Sequence, residues 1–229
     1  MELTKELKAL LLEKGAALVG IGNMEGLENC EYSTGVSVAI PLPKALIREL
    51  QEAPNEEYYH LYHSLNAKLN EIVSAGEEFL RQKGFEAYAQ TTDRVVVNDD
   101  RKSVLPHKTV ATKAGLGWIG KNCLLITKEY GPAVRISSLL TNAPLECDEA
   151  VTESRCGDCE LCVECCPANA LKGTLWTAGM AREEIVDAEV CFDKQVQIMK
   201  EKTGIEADLC GKCFAHCAYT QGYLNKDEK

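Results

Sequence analysis

The stretch Cys156-Gly-Asp-Cys159-Glu-Leu-Cys162-Val-Glu-Cys165-Cys166-Pro167 decides how this chain is organised. Further along follow Cys191 and then the run Cys210-Gly-Lys-Cys213-Phe-Ala-His-Cys217. Three thiolates on one tight loop can reach a common metal centre, and the next turn of the chain carries the fourth away from it. This part of the sequence therefore predicts metal–thiolate chemistry, and a proline directly after the last cysteine of the first run turns the chain.

The first run has the spacing Cys-x2-Cys-x2-Cys-x3-Cys-Pro if Cys166 is taken as the fourth ligand, which is typical of proteins with two [4Fe–4S] clusters. In such proteins the fourth cysteine ligates the other cluster. Crossed ligation uses eight cysteines without remainder: cluster A takes Cys156, Cys159, Cys162 and Cys217, and cluster B takes Cys166, Cys191, Cys210 and Cys213. The second half departs from the plain pattern, because Cys191 must return from elsewhere in the chain and no proline follows Cys217.

Zinc is an alternative, since Cys-x2-Cys pairs also build zinc sites and two sites of four thiolates could use the same cysteines. The doubled spacing followed by Cys-Pro favours iron–sulfur. A disulfide framework fits less well, because no signal peptide is recognisable and a reducing cytosol keeps thiols free. We therefore expect a cytoplasmic protein. The other cysteines are expected to be buried thiols outside the clusters: Cys30, Cys123, Cys147 and Cys165.

The composition is that of a folded globular chain of 229 residues, with 45% hydrophobic and 26% charged residues. No apolar run approaches the length of a membrane span. The net charge of −10 argues against a large basic footprint for nucleic acid.

Apolar spacing and turn residues predict helices over about 3–14, 56–83 and 107–113. They predict strands over 16–21, 36–40, 85–90, 94–97, 124–127 and 134–140. This alternation predicts an α+β domain, an α/β sandwich over 1–147. A small, helical and loop-rich cluster domain of ferredoxin-like type is predicted over 148–229.

A glycine-rich loop, Ala114-Gly-Leu-Gly-Trp-Ile-Gly-Lys-Asn122, precedes the cluster region. Its glycines allow the backbone to approach a ligand closely. The loop is not a P-loop, since no Ser or Thr follows the Gly-Lys pair, and it is not a dinucleotide fingerprint, since a strand is predicted to follow it. The residues alone predict a tight turn that is able to bind a ligand.

The glycine loop and the two cysteine motifs together resemble epoxyqueuosine reductase, a family related to the reductive dehalogenases. The resemblance also takes in the opening helix and strand, Tyr58-Tyr59-His60 and Glu129-Tyr130-Gly131. It implies a nitroreductase-like domain, with cobalamin bound between that domain and the cluster domain, and electrons passing from the clusters to cobalt. It also implies a set of cofactor contacts: Arg101, Gly115, Gly117, Trp118, Gly120, Lys121 and Asn122.

The sequence departs from the family in two respects. An aspartate upstream of the loop is the family's proton donor, and that position falls on Arg101, so we expect Asp100 or His107 to supply the proton, the latter because imidazole titrates near neutral pH. Longer members carry a C-terminal helical-repeat domain that helps to hold tRNA, whereas this sequence stops at Lys229. We therefore expect a small-molecule substrate rather than tRNA, no membrane association, and a low-potential electron donor such as a ferredoxin or flavodoxin.

Three functional hypotheses remain open on this evidence. The first is a cobalamin-dependent iron–sulfur reductase with a small substrate. The second is a ferredoxin-type electron carrier whose N-terminal domain docks a partner enzyme. The third is a protein that binds and reduces a corrinoid for use by another protein. Loss of the expected aspartate favours the second and third, and the glycine loop favours the first and third.

Overall fold

The computed structural model describes residues 2–96, 98 and 103–226. Asp100 and Arg101 lie outside these residues, so their predicted roles stay predictions. In chain order the elements are α1 (Glu2–Glu13), β1 (Leu18–Asn23), β2 (Thr34–Pro41), α2 (Lys44–Glu49), α3 (Glu56–Gln82), β3 (Ala87–Ala89), α4 (His107–Lys113), β4 (Trp118–Ile119), β5 (Leu125–Ile126), β6 (Val134–Thr141), α5 (Leu161–Glu164), a 3₁₀ turn (Arg182–Glu184), α6 (Ala188–Thr203), α7 (Lys212–Ala215) and α8 (Ala218–Leu224).

The chain forms two compact units, each made of several segments. Unit 1 comprises Met1–Ile40, Ser64–Gly117 and Arg135–Val151, and unit 2 comprises Pro41–His63, Trp118–Val134 and Thr152–Lys229. The sequence predicted a boundary between two independently folding domains at residues 147 and 148. The division into compact units does not test independent folding, so this boundary stays a prediction.

Unit 1 is built on a four-stranded sheet in the order β1-β2-β6-β3. β1 runs antiparallel to β2, and β3 runs antiparallel to β6. The core contains Leu7 and Leu11, one turn apart on α1, together with Leu69, Ile72 and Leu80 of α3, all of them almost fully buried. Their helical spacing turns one apolar stripe of each helix toward the core.

Two glycines of β1 allow α4 to pack closely against this strand. A Cβ atom on Gly20 would lie 2.2 Å from the carbonyl oxygen of Ala114, and one on Gly22 would lie 2.5 Å from the carbonyl carbon of Lys113. Such distances exclude any side chain, so the backbone of α4 and the start of the glycine loop are held directly on the strand.

Unit 2 contains a short antiparallel hairpin, β4–β5, and the small helices that carry the cysteine motifs. Tyr58 packs edge-on against Phe214 of α7, with 5.9 Å between ring centroids. Gly131 has a φ of 61°, and a Cβ atom there would lie 2.5 Å from the backbone nitrogen of Thr220 in α8. Glycine is therefore required where the turn before β6 meets α8.

The mixed α/β class with an antiparallel sheet is confirmed, as are the predicted helices α1, α3 and α4 and the strands at β1, β2, β3, β5 and β6. The strand predicted over 94–97 is wrong for its described residues, because Arg94 belongs to a turn in which its amide donates to the carbonyl of Thr91 at 2.9 Å. Val97 lies outside the described residues. No helix in the described part of the chain is long and apolar enough to cross a membrane.

Candidate iron–sulfur and cofactor sites

The four cysteines assigned to cluster A lie within reach of one another's charge. Burial raises the pKa of Cys162 to about 12, and the charges of Cys217 and Cys156 are the next causes. Burial also raises the pKa of Cys217 to about 11, and Cys156 and Cys159 add to that rise. Residues from α5, the loop before it and the start of α8 therefore form one group of thiols.

The four cysteines assigned to cluster B form a second such group. Burial raises the pKa of Cys191 to about 11, followed by the charges of Cys166 and Cys210. The pKa of Cys213 lies well above its ordinary value, again through burial first, with Cys210 and Cys191 next. The charge of Cys162 also contributes to the raised pKa of Cys213, which indicates that the two groups come near each other at Cys162 and Cys213.

The chemistry of these thiols fits [4Fe–4S] clusters. The buried thiols Cys162, Cys217 and Cys166 would be poorly solvated as thiolates, and a cationic centre would stabilise them in that form. All twelve cysteines lie in the described part of the chain, and none forms a disulfide. Among the described residues, no three His, Cys, Asp or Glu side chains are grouped so that they could hold a single metal ion. A [4Fe–4S] cluster instead takes four cysteines at separate irons.

Cys165 makes hydrogen bonds of its own beside these groups. Its thiol lies 3.5 Å from the carbonyl oxygen of Cys162 and 3.7 Å from that of Lys212, to which it donates. The side chain thereby links the loop after α5 to the start of α7. Among the other cysteines outside the scheme, Cys123 is buried as expected, whereas Cys147 is exposed, so the expectation of burial is wrong there.

The part of the glycine loop in unit 2 is a tight hairpin. The amide of Gly120 donates to the carbonyl of Leu124 at 2.9 Å, and the amide of Cys123 donates to the carbonyl of Gly120 at 2.8 Å. A Cβ atom on Gly120 would lie 2.3 Å from a methyl carbon of Ile126, so a larger residue there would force the side chain of Ile126 to move. Cys123 adopts a φ of 59°, an uncommon left-handed conformation that closes the turn.

Two buried donors of this hairpin have no hydrogen-bond partner among the described residues: the indole Nε1 of Trp118 and the amide Nδ2 of Asn122. The ring of Trp118 packs edge-on against Tyr219, with 4.9 Å between centroids, and the guanidinium of Arg155 lies 5.7 Å from the indole centroid. Buried donors are nearly always satisfied. These two therefore fit a ligand that carries amide carbonyl groups, as cobalamin does.

Lys121, one of the predicted cofactor contacts, is already paired with another side chain. Its side chain is buried, and its ammonium forms an ion pair with Glu160, which directly follows Cys159. The hydrogen bond with Glu160 is the first cause of a raised pKa of Lys121, and the charges of Cys156 and Cys159 contribute in the same direction. The ammonium thus faces the loop of cluster A, and a cofactor phosphate would have to displace Glu160 to reach it.

In unit 1, His107 begins α4 and belongs to a buried polar chain. The hydroxyl of Ser138 donates to Oε1 of Gln90 at 2.6 Å, so it accepts from Nδ1–H of His107 at 2.8 Å. Burial lowers the pKa of His107 to about 4, and the charge of Arg135 adds to this. The expectation that His107 titrates near neutral pH is therefore wrong, because its ring is neutral there. Its role in proton delivery stays a prediction.

The remaining glycines of the loop belong to unit 1. Gly115 has a φ of 73°, and a Cβ atom there would lie 2.7 Å from the carbonyl oxygen of Glu149. Gly117 is buried. Gly115 thus serves a close backbone packing, and the predicted cofactor contacts of both glycines stay predictions.

Sequence reasoning missed the partners that orient these residues. Glu160 lies 39 positions from Lys121, and Gln90 lies 48 positions from Ser138. An acidic residue inside the cysteine run was the only available signal for the first pair. No pattern in the sequence pointed to the second.

No family profile matches the sequence. The chain is 31% identical over 174 residues to an epoxyqueuosine reductase of Lactococcus garvieae, an alignment that covers 73% of this chain and 43% of the relative. The chain thus spans less than half the length of that curated relative.

Solved structures share the fold at lower identity. A catabolic reductive dehalogenase in complex with 3-bromo-4-hydroxybenzoic acid aligns with a TM-score of 0.74 at 18% identity, covering 93% of this chain and 31% of that one. An epoxyqueuosine reductase with an epoxyqueuosine-modified tRNA stem loop aligns with a TM-score of 0.63 at 20% identity, covering 97% of this chain and 66% of that one. The predicted resemblance to both groups of enzymes is confirmed.

Proposed function

We propose that this chain is an iron–sulfur reductase that binds cobalamin and passes electrons through two [4Fe–4S] clusters to a substrate. The observation that carries the proposal is the spacing of the eight cysteines, which fits crossed ligation of two clusters, and each group of four includes buried thiols: Cys162 and Cys217 in the first, and Cys166 in the second. The similarity to epoxyqueuosine reductases supports the same class of reaction. In this proposal residues 148–229 form the ferredoxin-like two-cluster domain.

The cobalamin, when bound, would supply a cobalt centre able to donate electrons to the substrate. The hairpin residues Trp118, Gly120 and Asn122 would hold it, because two of them carry buried donors in need of acceptors. We propose the same role for Gly115, Gly117, Arg101 and, if Glu160 is displaced, Lys121.

Electron entry at cluster A is part of the proposal. Of the eight assigned ligands, all in the described part of the chain, Cys159 alone is exposed. A low-potential donor such as a ferredoxin or flavodoxin could approach there most closely. The electrostatic interaction between Cys162 and Cys213 indicates that the two groups lie near each other, which would let electrons pass from cluster A to cluster B.

The proton for the substrate step is assigned to Asp100 or His107. Because burial keeps the imidazole of His107 neutral at physiological pH, it carries no imidazolium proton to donate there. Asp100 would in turn act as the acid only with a pKa raised above the ordinary value of an aspartic acid. Turnover by Asp100→Asn and His107→Gln, each with cobalamin and clusters retained, separates the two.

The substrate is proposed to be a small molecule. The net charge of −10 opposes the binding of a polyanion, since affinity for nucleic acid depends on phosphate neutralisation by cationic side chains. The related enzyme solved with a tRNA stem loop gives the competing choice. Anaerobic binding of a modified tRNA stem loop at low and moderate salt decides between them: saturable, salt-sensitive binding would replace the small-molecule proposal.

The cluster proposal is tested by iron and sulfide analysis of protein purified without air. Two clusters predict about eight of each per chain. Cys191→Ala should degrade cluster B while the electron paramagnetic resonance (EPR) signal of cluster A persists. Stoichiometric zinc in place of iron would sink the assignment.

A further inference from the structure

Lys121 and Glu160 form an unequal ion pair within unit 2. The side chain of Lys121 is 5% exposed, whereas that of Glu160 is 42% exposed. Water screens the carboxylate more strongly than the ammonium, because the field of a charge falls with the dielectric around it. The pair therefore leaves a net positive field on its buried side.

The ligands of cluster A lie next to this pair. Glu160 follows Cys159 directly, and its carbonyl accepts from the amide of Val163 at 2.8 Å, at the turn that begins α5 and presents Cys162. The charge of Lys121 also interacts with Cys156 and Cys159. The same ammonium thus bridges the hairpin and the ligand loop.

We propose that Lys121 and Glu160 set the reduction potential of cluster A, with Lys121 raising it and Glu160 lowering it. The inference rests on the proposed function, since it requires that the cysteines hold a cluster. Reduction adds one negative charge to the cluster, so a nearby cation stabilises the reduced form and a nearby anion destabilises it. Net charge and hydrogen bonds around a cluster are among the factors that set its potential.

The test is a redox titration of both clusters, followed by EPR, in wild type and four variants. At the potential that half-reduces cluster A in wild type, the ratio of reduced to oxidised cluster A should be at least tenfold lower in Lys121→Met. This corresponds to a fall in the reduction potential of about 59 mV for one electron. Glu160→Gln should raise this ratio, by less, because the carboxylate is partly solvated. In the double variant Lys121→Met/Glu160→Gln the ratio should be close to that of wild type. In Lys121→Arg, which keeps the positive charge, the ratio should not change. Cluster B should titrate unchanged in all of them.

The outcomes separate this inference from the proposed function. Wild-type protein without iron overturns both. Intact clusters with no shift at cluster A, or shifts of the same sign in Lys121→Met and Glu160→Gln, overturn the inference alone and indicate a purely structural pair. If Lys121→Met loses cluster A, the exposed substitution Glu160→Gln decides: a raised ratio supports the inference, and an unchanged ratio overturns it.

Discussion

Lowering the pH from 7 to 5 should destabilise the wild-type chain more than its His107→Gln variant. Glutamine keeps a polar group near Ser138 but cannot take up a proton. In the folded chain, burial and the charge of Arg135 lower the pKa of His107 from 6.5 to about 4. Between these values the unfolded chain binds a proton that the folded chain does not, so stability falls as the pH falls.

The magnitude follows from the size of this change. Each pH unit is worth about 1.36 kcal/mol, so the complete effect is about 3 kcal/mol below pH 4 and about 2 kcal/mol at pH 5. For a chain of this size, 2 kcal/mol corresponds to a change in Tm of about 4–8 °C. The difference in stability between wild type and variant is taken at each pH. Any loss of stability in acid that arises at the cysteine sites is common to both proteins and cancels in this difference.

Two measurements check the prediction. In thermal unfolding measured from pH 7 to pH 5, the Tm of the wild type should fall more than the Tm of His107→Gln. NMR of protein labelled in its histidine rings should show one signal, absent from His107→Gln, that does not titrate above pH 5. A signal that titrates near pH 6.5, together with a difference in Tm that is constant with pH, would refute the reasoning.

Three further predictions test the polar chain, a close approach and a thiol. Ser138→Ala removes the acceptor of the histidine proton and should cost about 1–3 kcal/mol in chemical denaturation, whereas Ser37→Ala, at a fully buried hydroxyl with no partner among the described residues, should be neutral or stabilising. Gly131→Ala should lower Tm and the iron content, because its Cβ atom would lie 2.5 Å from the backbone of α8; Gly204→Ala, with the same sign of φ but no neighbour within 4 Å, should show the smaller cost of backbone strain. Cys165→Ala should keep about eight iron atoms per chain, since the single thiol hydrogen of Cys165 is already shared between two carbonyl oxygens; loss of half the iron would make it a ligand.

Helices α1 and α3 could be predicted from the sequence because their apolar residues recur at helical spacing, whereas α6, with 16 residues, was not predicted. Helices α2, α5, α7 and α8 could not, because they have only four to seven residues and lie within loops. Helices this short depend on tertiary contacts rather than on propensity. A tertiary contact also accompanies the error at Arg94. Its β-branched neighbours indicated a strand, but its guanidinium forms an ion pair with the buried Glu77 at 2.8 Å.

The cysteine groups could be predicted because ligand spacing is a local property of the chain. The state of individual side chains could not. The sequence did not indicate that Lys121 pairs with Glu160 in the folded chain. It also suggested that His107 titrates near neutral pH, whereas burial lowers the pKa of this residue. Desolvation and long-range pairing depend on tertiary structure, which spacing does not encode.

Titration of cobalamin into cluster-replete protein, by anaerobic calorimetry, tests the central claim most directly. The account predicts saturable binding near one cobalamin per chain, lost in Gly117→Val without loss of fold or iron, because a branched side chain blocks close approach of the loop. Absence of saturable binding by wild-type protein with both clusters intact would contradict the account, and the chain would then be an iron–sulfur electron carrier.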